Sequence, residues 1–167
     1  MLFSDDLSLY DGVLKPELNE ALVEIKKYFK ENDLKVFSWD VSSVVVAAKF
    51  NVSLPTRGSV GGFIKDVEPI LIQLPLFDYP ESAPFIRSDR KDFPKSNLSH
   101  RYYTPPDQPA TLCLVRGDLN QWFASVSLAD LLLVAEQWYY KAATGTLNED
   151  GDEFDPIMLE GYFGNHI

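Results

Sequence analysis

The hydrophobic pattern of this chain changes its period twice, and this limits the folds that the chain can adopt. Between Pro16 and Glu31, apolar residues recur at helical spacing among charged residues. From Leu34 to about Ile86 the pattern becomes a series of short apolar, β-branched or aromatic runs. The helical period returns at Ser127 and continues to Thr144. A helix, a set of strands and a second helix are therefore predicted.

The strand region predicts an antiparallel meander, because its runs are separated by turn residues and not by helical segments. We expect an α/β fold of the α+β kind: an N-terminal helix, a four-stranded antiparallel meander, a long active-site loop and a C-terminal helix. A parallel sheet, or a helix between Ser43 and Leu76, would contradict it. The four predicted strands are Lys35–Trp39, Ser43–Leu54, Glu68–Leu76 and Phe85–Ser88.

Two further segments have clear local signals. From Asp89 to Ala110, prolines accumulate and neither period survives, which predicts one long irregular loop. Loops of that length in a compact domain are usually functional. The C-terminal helix has a capping signal at Ser127 and Asp130, and Gly145 lies where a terminal glycine is favoured.

Length and charge restrict the class of protein. The chain has 167 residues and a formal net charge of −10, so we expect one domain at 1–147, followed by an acidic linker and tail at 148–167. Its negative charge argues against binding to nucleic acid or a membrane surface, and favours a protein or a small molecule as partner. The single cysteine, and a start without a secretory signal, predict a cytoplasmic location.

That cysteine, Cys113, lies between two leucines directly after the long loop. A cysteine flanked by leucines is typically a small buried hydrophobe. A thiolate, however, is also a good nucleophile and a good leaving group, so it can hold an acyl group as a thioester. The chemistry of Cys113 would require a thiol that is at least partly accessible, and we predict that it is.

An ordered set of motifs resembles the ubiquitin-conjugating enzyme family over about residues 14–147. Tyr79-Pro80-x-x-x-Pro84 is similar to the tyrosine-proline signature after the family's third strand, and Leu112-Cys113-Leu114 to the segment around its thioester cysteine. Trp122 matches a tryptophan before the family's next helix, and we interpret it as a packing residue. The segment from Trp138 to Gly145 looks more like the bacterial branch of the family, encoded beside activating-enzyme-like proteins or in antiphage CBASS operons.

The chain departs from the family at its His-Pro-Asn motif. The position of the family's asparagine, eight residues before Cys113, is Pro105, and the closest counterpart of the histidine is His100. A thioester reaction passes through an oxyanion, which needs a hydrogen-bond donor. His100 is our first prediction for a catalytic or loop-supporting residue. Other candidates are Tyr102, Tyr103, Asn97 and nearby backbone N–H groups, with both tyrosines interpreted as loop packing.

The resemblance implies a bacterial ubiquitin-conjugating-like transferase in antiphage defence. Cys113 would receive the C-terminus of a ubiquitin-like modifier, or of a CBASS nucleotidyltransferase, from an adenylating enzyme and pass it to an amine of a target protein. Two alternatives stay open: a non-catalytic, conjugating-enzyme-like binding module, and a cysteine hydrolase. No metal is expected, because one cysteine and two histidines offer few ligands. No cofactor is expected either: Gly58–Gly62 lacks the Lys-Ser/Thr of a phosphate loop and is interpreted as a hairpin turn.

The first helix has lysines on its polar side, at Lys26, Lys27 and Lys30. In the family this helix meets the activating enzyme, so a basic patch on an acidic chain could steer an acidic partner. Glu–Lys pairs on a solvated helix face would give the same pattern.

Overall fold

The computed structural model describes residues 1–95, 101–147 and 158–159. Within them, two long helices and one short helix accompany a seven-stranded sheet of order β1-β2-β3-β4-β6-β5-β7. The helices are α1 (Pro16–Phe29), α2 (Leu119–Phe123) and α3 (Leu128–Thr144). The strands are β1 (Val36–Asp40), β2 (Ser43–Asn51), β3 (Val67–Pro75), β4 (Phe85–Ser88), β5 (Arg101–Tyr103), β6 (Thr111–Leu112) and β7 (Met158–Leu159).

The predicted four-stranded meander is confirmed. Strands β1 to β4 are neighbours in chain order, and each pair is antiparallel. Alternate residues of β2 enter the core beneath the helices, where Val44, Val46 and Phe50 are buried. No α-helix interrupts the region between Ser43 and Leu76; the β2–β3 connection has a single short 3₁₀ turn at Val60–Gly62.

The predicted helices are also confirmed, with small shifts at their ends. Helix α1 buries Leu18, Ala21 and Ile25, and it ends two residues before the predicted Glu31, because Lys30 adopts a left-handed conformation with φ of 53°. Helix α3 begins as predicted: the Ser127 hydroxyl accepts from the Asp130 N–H, and the Asp130 carboxylate accepts from the Ser127 N–H.

The N-terminal segment is held to the sheet by backbone pairing, which the periodicity did not predict. Leu2 and Leu9 form isolated bridges with Arg90 and Phe37, and the Phe3 N–H donates to the Asp89 carbonyl at 2.8 Å. The N-terminal segment is therefore connected both to β1 and to the residues that follow β4.

The prediction of an entirely irregular Asp89–Ala110 loop is wrong. Its residues Arg101–Tyr103 form β5, which pairs antiparallel with β6. A three-residue strand is too short to show a period, so its pairing is visible only in three dimensions. Trp122, predicted to lie in a loop, is in the short helix α2.

The predicted linker at 148–153 lies outside the described residues. The backbone of Met158–Leu159 pairs in parallel with Tyr102 and Tyr103, at the edge of the otherwise antiparallel sheet. In the described part of the chain, no helix combines the length and the hydrophobicity needed to cross a membrane.

Candidate active site

Cys113 follows directly after the short strand β6. Thr111 of β6 pairs with Arg87 of β4 on one side and with Tyr102 of β5 on the other. Directly paired residues point to the same face of an antiparallel sheet, and residues two apart on a strand do so as well. The backbone register therefore directs the side chains of Arg87, Thr111 and Tyr102 toward the same face, two residues before Cys113.

The thiol of Cys113 is enclosed and hydrogen-bonded. The residue is 8% exposed, so it is more buried than the partly accessible thiol that we predicted. Its sulfur donates to the Val115 carbonyl at 3.5 Å. The local geometry thus gives the thiol a backbone carbonyl as acceptor.

Tyr102 is held rigidly beside the thiol. It is 1% exposed, and its ring meets the Phe85 ring edge-on at a centroid distance of 5.8 Å. Burial, followed by the effects of Cys113 and Asp118, raises the pKa of Tyr102 well above its usual value. The hydroxyl therefore stays protonated at neutral pH and can donate a hydrogen bond.

Arg87 organises the chain that leads into Cys113. Its Nη1 donates to the Thr111 hydroxyl at 2.8 Å and to the Pro109 carbonyl at 3.4 Å, and its Nε donates to Gln73 Oε1 at 2.7 Å. The guanidinium also lies 5.1 Å from the centre of the Trp39 ring. Burial lowers the pKa of Arg87 to about 10, so the group is still cationic at neutral pH.

The chain after Cys113 is anchored against the tyrosine-proline motif. Asn120 of α2 accepts from the Ala83 N–H at 2.8 Å, and the Phe123 ring lies 6.0 Å from that of Tyr79. Asp118 caps α2 by accepting from the Asn120 and Gln121 N–H groups. The motifs singled out before and after Cys113 are therefore in direct contact.

A comparison with models of protein families assigns this chain to a family. A family model described as prokaryotic E2 family A matches residues 22–162. The chain belongs to prokaryotic E2 family A. Membership supports a ubiquitin-conjugating-like protein and implies interaction with E1-like enzymes and with target proteins in general. A search of curated proteins and one of solved structures found no match.

The structure describes some of the predicted site residues of this E2-family protein and leaves others outside the described residues. Cys113 is described above, whereas His100 and Asn97 lie outside the described residues. Tyr103 is 51% exposed. Half-buried Trp122 packs against the core, in line with its interpretation as a packing residue.

The sequence interpretation gave too little weight to Tyr102 and none to Arg87. The first was interpreted as packing alone, yet it pairs with Thr111, two residues before Cys113. Arg87 could not be singled out, because an arginine in a strand is usually solvent-exposed. In the part of the chain that the structure describes, no group of three or more His, Cys, Asp or Glu side chains could hold a metal ion.

Proposed function

We propose that this E2-family protein carries an acyl group as a thioester on Cys113 and transfers it to an amine. The observation that supports this most is the placement of the chain's single cysteine. It lies at the end of β6, between a segment held by Arg87 and a helix held by the tyrosine-proline motif. A nucleophile fixed on both sides is preorganised for attack on a carbonyl group.

The proposed reaction has two acyl transfers. In charging, the Cys113 thiol first loses its proton to solvent base, and the thiolate attacks the activated C-terminal carbonyl that an ATP-using adenylating enzyme presents. The S–C bond forms, and the donor's leaving group departs with its electron pair. In discharge, a target amine attacks that carbonyl, the C–S bond breaks with its electrons going to sulfur, and the amine proton passes to solvent.

The proposed partners follow from this chemistry and from the bacterial branch that the motifs resemble. They are an E1-like adenylating enzyme, a ubiquitin-like modifier or the C-terminus of a CBASS nucleotidyltransferase, and a target protein. We propose a role in antiphage defence within the bacterial cytoplasm. ATP is used by the adenylating partner, since this chain lacks a phosphate-loop motif.

His100 is proposed to support the cysteine loop or the oxyanion. Arg101, the residue that follows it, pairs with Leu112, the residue that precedes Cys113. This pairing supports the proposal because it brings the adjoining parts of the chain together. His100→Ala should therefore slow discharge of a preformed thioester more than it slows charging. Equal loss in both steps would instead indicate a collapsed loop, and no loss would exclude His100 from the site.

The burial of Cys113 favours one alternative: a conjugating-enzyme-like module that binds a partner without catalysis. A cysteine that is only 8% exposed can serve as a packing residue. In that case the folded protein would bind its partner equally well after Cys113→Ala, and its thiol would react with iodoacetamide only after unfolding in urea.

The decisive experiment incubates the protein with the adenylating enzyme encoded beside it, ATP and candidate modifiers, followed by intact-protein mass spectrometry. We expect a covalent adduct that dithiothreitol removes. Cys113→Ser should give an adduct that dithiothreitol does not remove, because an oxygen ester resists thiols, and Cys113→Ala should give none. An adduct that forms equally well on Cys113→Ala would contradict the proposal.

A further inference from the structure

We infer that the outer edge of β5 is a docking site for an extended, acidic segment of the target protein, and that β7 occupies this edge as an internal substitute for that segment. The outer edge is the side of Arg101–Tyr103 that does not pair with β6. This inference rests on the proposed function of Cys113. It assigns recognition of the acyl acceptor to one edge of the sheet.

The pairing between β5 and β7 shows that this edge accepts an extended segment. The backbone of Met158 pairs in parallel with that of Tyr102, and the backbone of Leu159 with that of Tyr103. An edge strand offers unpaired N–H and C=O groups, and an added strand binds to them mainly through its own main chain. A segment of another protein can therefore take the place of β7 without having the same sequence.

Two polar groups at the ends of β5 have hydrogen-bonding capacity that β7 does not use. Among the described residues, Nε of Arg101 and Oγ1 of Thr104 are buried without a hydrogen-bond partner. Arg101 begins β5, and Thr104 directly follows the strand. Buried polar groups are usually satisfied. A target segment longer than β7 extends past both ends of β5, and we expect its polar atoms to satisfy these two groups.

Positive charge lies at both ends of β5. Arg101 is its first residue, and the ammonium group of Lys95 donates to the Pro105 carbonyl at 2.5 Å, two residues after the strand ends. Both cations attract anions, although the chain as a whole has a net charge of −10. In the sequence, Asp155 precedes β7 and Glu160 follows it. The internal segment is therefore complementary in charge to these cations, as an acidic target segment would be.

The direction of β7 distinguishes a target segment from the C-terminus of a modifier. Arg101, at the start of β5, pairs with Leu112, which directly precedes Cys113. Because β7 is parallel to β5, a segment bound in its direction has its carboxyl end pointing away from Leu112. A C-terminus that must reach Cys113 does not fit this direction. An internal lysine fits it when the lysine precedes the residues that pair with β5.

The first test measures binding of a fluorescent peptide with the sequence of residues 154–162 to the full chain, by fluorescence anisotropy. In the unchanged protein, β7 competes with the peptide. Leu159→Pro removes a backbone N–H and disfavours the pairing of β7, so the peptide should bind this variant about tenfold more tightly. Asp150→Pro is the matched control, because it introduces proline outside β7 and should leave the affinity unchanged. Equal affinities for Leu159→Pro and the unchanged protein, or no binding to either, would overturn the inference.

The second test measures discharge of the Cys113 thioester to two N-acetylated peptides of the same sequence. One has a lysine added at its amino end, and the other has a lysine added at its carboxyl end. The first should accept the acyl group about tenfold faster, because the docking direction holds its amine at the end of β5 that pairs with Leu112. Equal rates, or a faster reaction of the second peptide, would contradict the inferred direction and overturn the inference.

Failure of this inference can be separated from failure of the proposed function. Peptide binding requires neither ATP nor a thiol, so it can be repeated in Cys113→Ala, whereas thioester formation requires both. Tighter binding to Leu159→Pro without any thioester adduct would refute thioester transfer while confirming the docking edge. An adduct together with equal affinities or equal acceptor rates would confirm the transferase and refute the docking site.

Discussion

Arg87 shows how one buried side chain can hold the segment before the candidate nucleophile. Only 1% of the residue is exposed. Its hydrogen bonds connect Gln73 of β3 with Pro109 and Thr111, which precede Cys113. A buried cation must be compensated by hydrogen bonds or by charge, and these three acceptors come from two separate parts of the chain.

Replacing Arg87 by methionine should therefore be costly, although the two side chains have comparable length. The substitution leaves the hydroxyl of Thr111 and the carbonyl of Pro109 buried without this donor. We expect the free energy of unfolding in urea to fall by about 2–4 kcal/mol. Lys49→Met removes an equal charge from an exposed site of β2 and should change it by less than about 0.5 kcal/mol. Equal effects of the two substitutions would show that the Arg87 network contributes little.

At the scale of elements, the start of α3 is the best-defined local feature of the chain. Ser127 and Asp130 satisfy each other's backbone N–H groups at 3.1 and 2.9 Å, and Gly145 ends the helix with a φ of 73°. The hydrogen bonds from Ser127 lower the pKa of Asp130. The cap is therefore stronger with Asp130 ionised, and its contribution to the free energy of unfolding depends on pH.

Ser127→Ala should lower the free energy of unfolding by about 1 kcal/mol, because it removes the side-chain acceptor of the cap. Ser53→Ala, at an exposed position outside the strands and helices, should have almost no effect. Urea unfolding followed by circular dichroism measures both. An unchanged stability in Ser127→Ala would mean that tertiary packing alone defines this end of α3.

The pH dependence of the same cap has a definite sign. Because the hydrogen bonds from Ser127 lower the pKa of Asp130 below its usual value in the folded state, the ionised carboxylate stabilises the fold at pH values above that usual value. This contribution should be lost as the pH falls through the lowered pKa. The difference in stability between the unchanged protein and Asp130→Asn should therefore be constant near neutral pH and should shrink below about pH 4.

At the scale of the whole molecule, the distribution of charge is uneven. The chain has a net charge of −10, yet Lys26 and Lys27 lie in the last turn of α1 and Lys30 caps it. Cations at this end of a helix interact favourably with its dipole. A role in partner binding must therefore be distinguished from a role in helix stability.

Lys27→Glu combined with Lys30→Glu should slow charging of Cys113 by the adenylating enzyme, most strongly at low salt. Discharge of a preformed thioester should be unchanged. Lys35→Glu combined with Lys49→Glu changes the net charge equally at exposed positions elsewhere and is the matched control. Charging rates that respond equally to both pairs, or that do not depend on salt, would assign the lysines of α1 to helix stability alone.

Local sequence was sufficient to predict α1, the meander and α3. Each has enough residues to show its period, and each helix has a terminal signal within one turn, such as Pro16 or Ser127. These features depend on neighbours in the chain, so they can be inferred without knowing which segments meet. The motif around Cys113 was equally visible, because its residues are adjacent in sequence.

The environment of the thiol was decided by tertiary structure. Strand β5 has only three residues and shows no period, and its pairing with β6 joins Arg101 to Leu112 across the long loop. That pairing places Tyr102 opposite Thr111, two residues before Cys113, while Arg87 reaches Thr111 from β4. Sequence alone therefore determined which residue could be the nucleophile, whereas non-local strand pairing determined which side chains lie around the segment before it, because these depend on the register between distant segments.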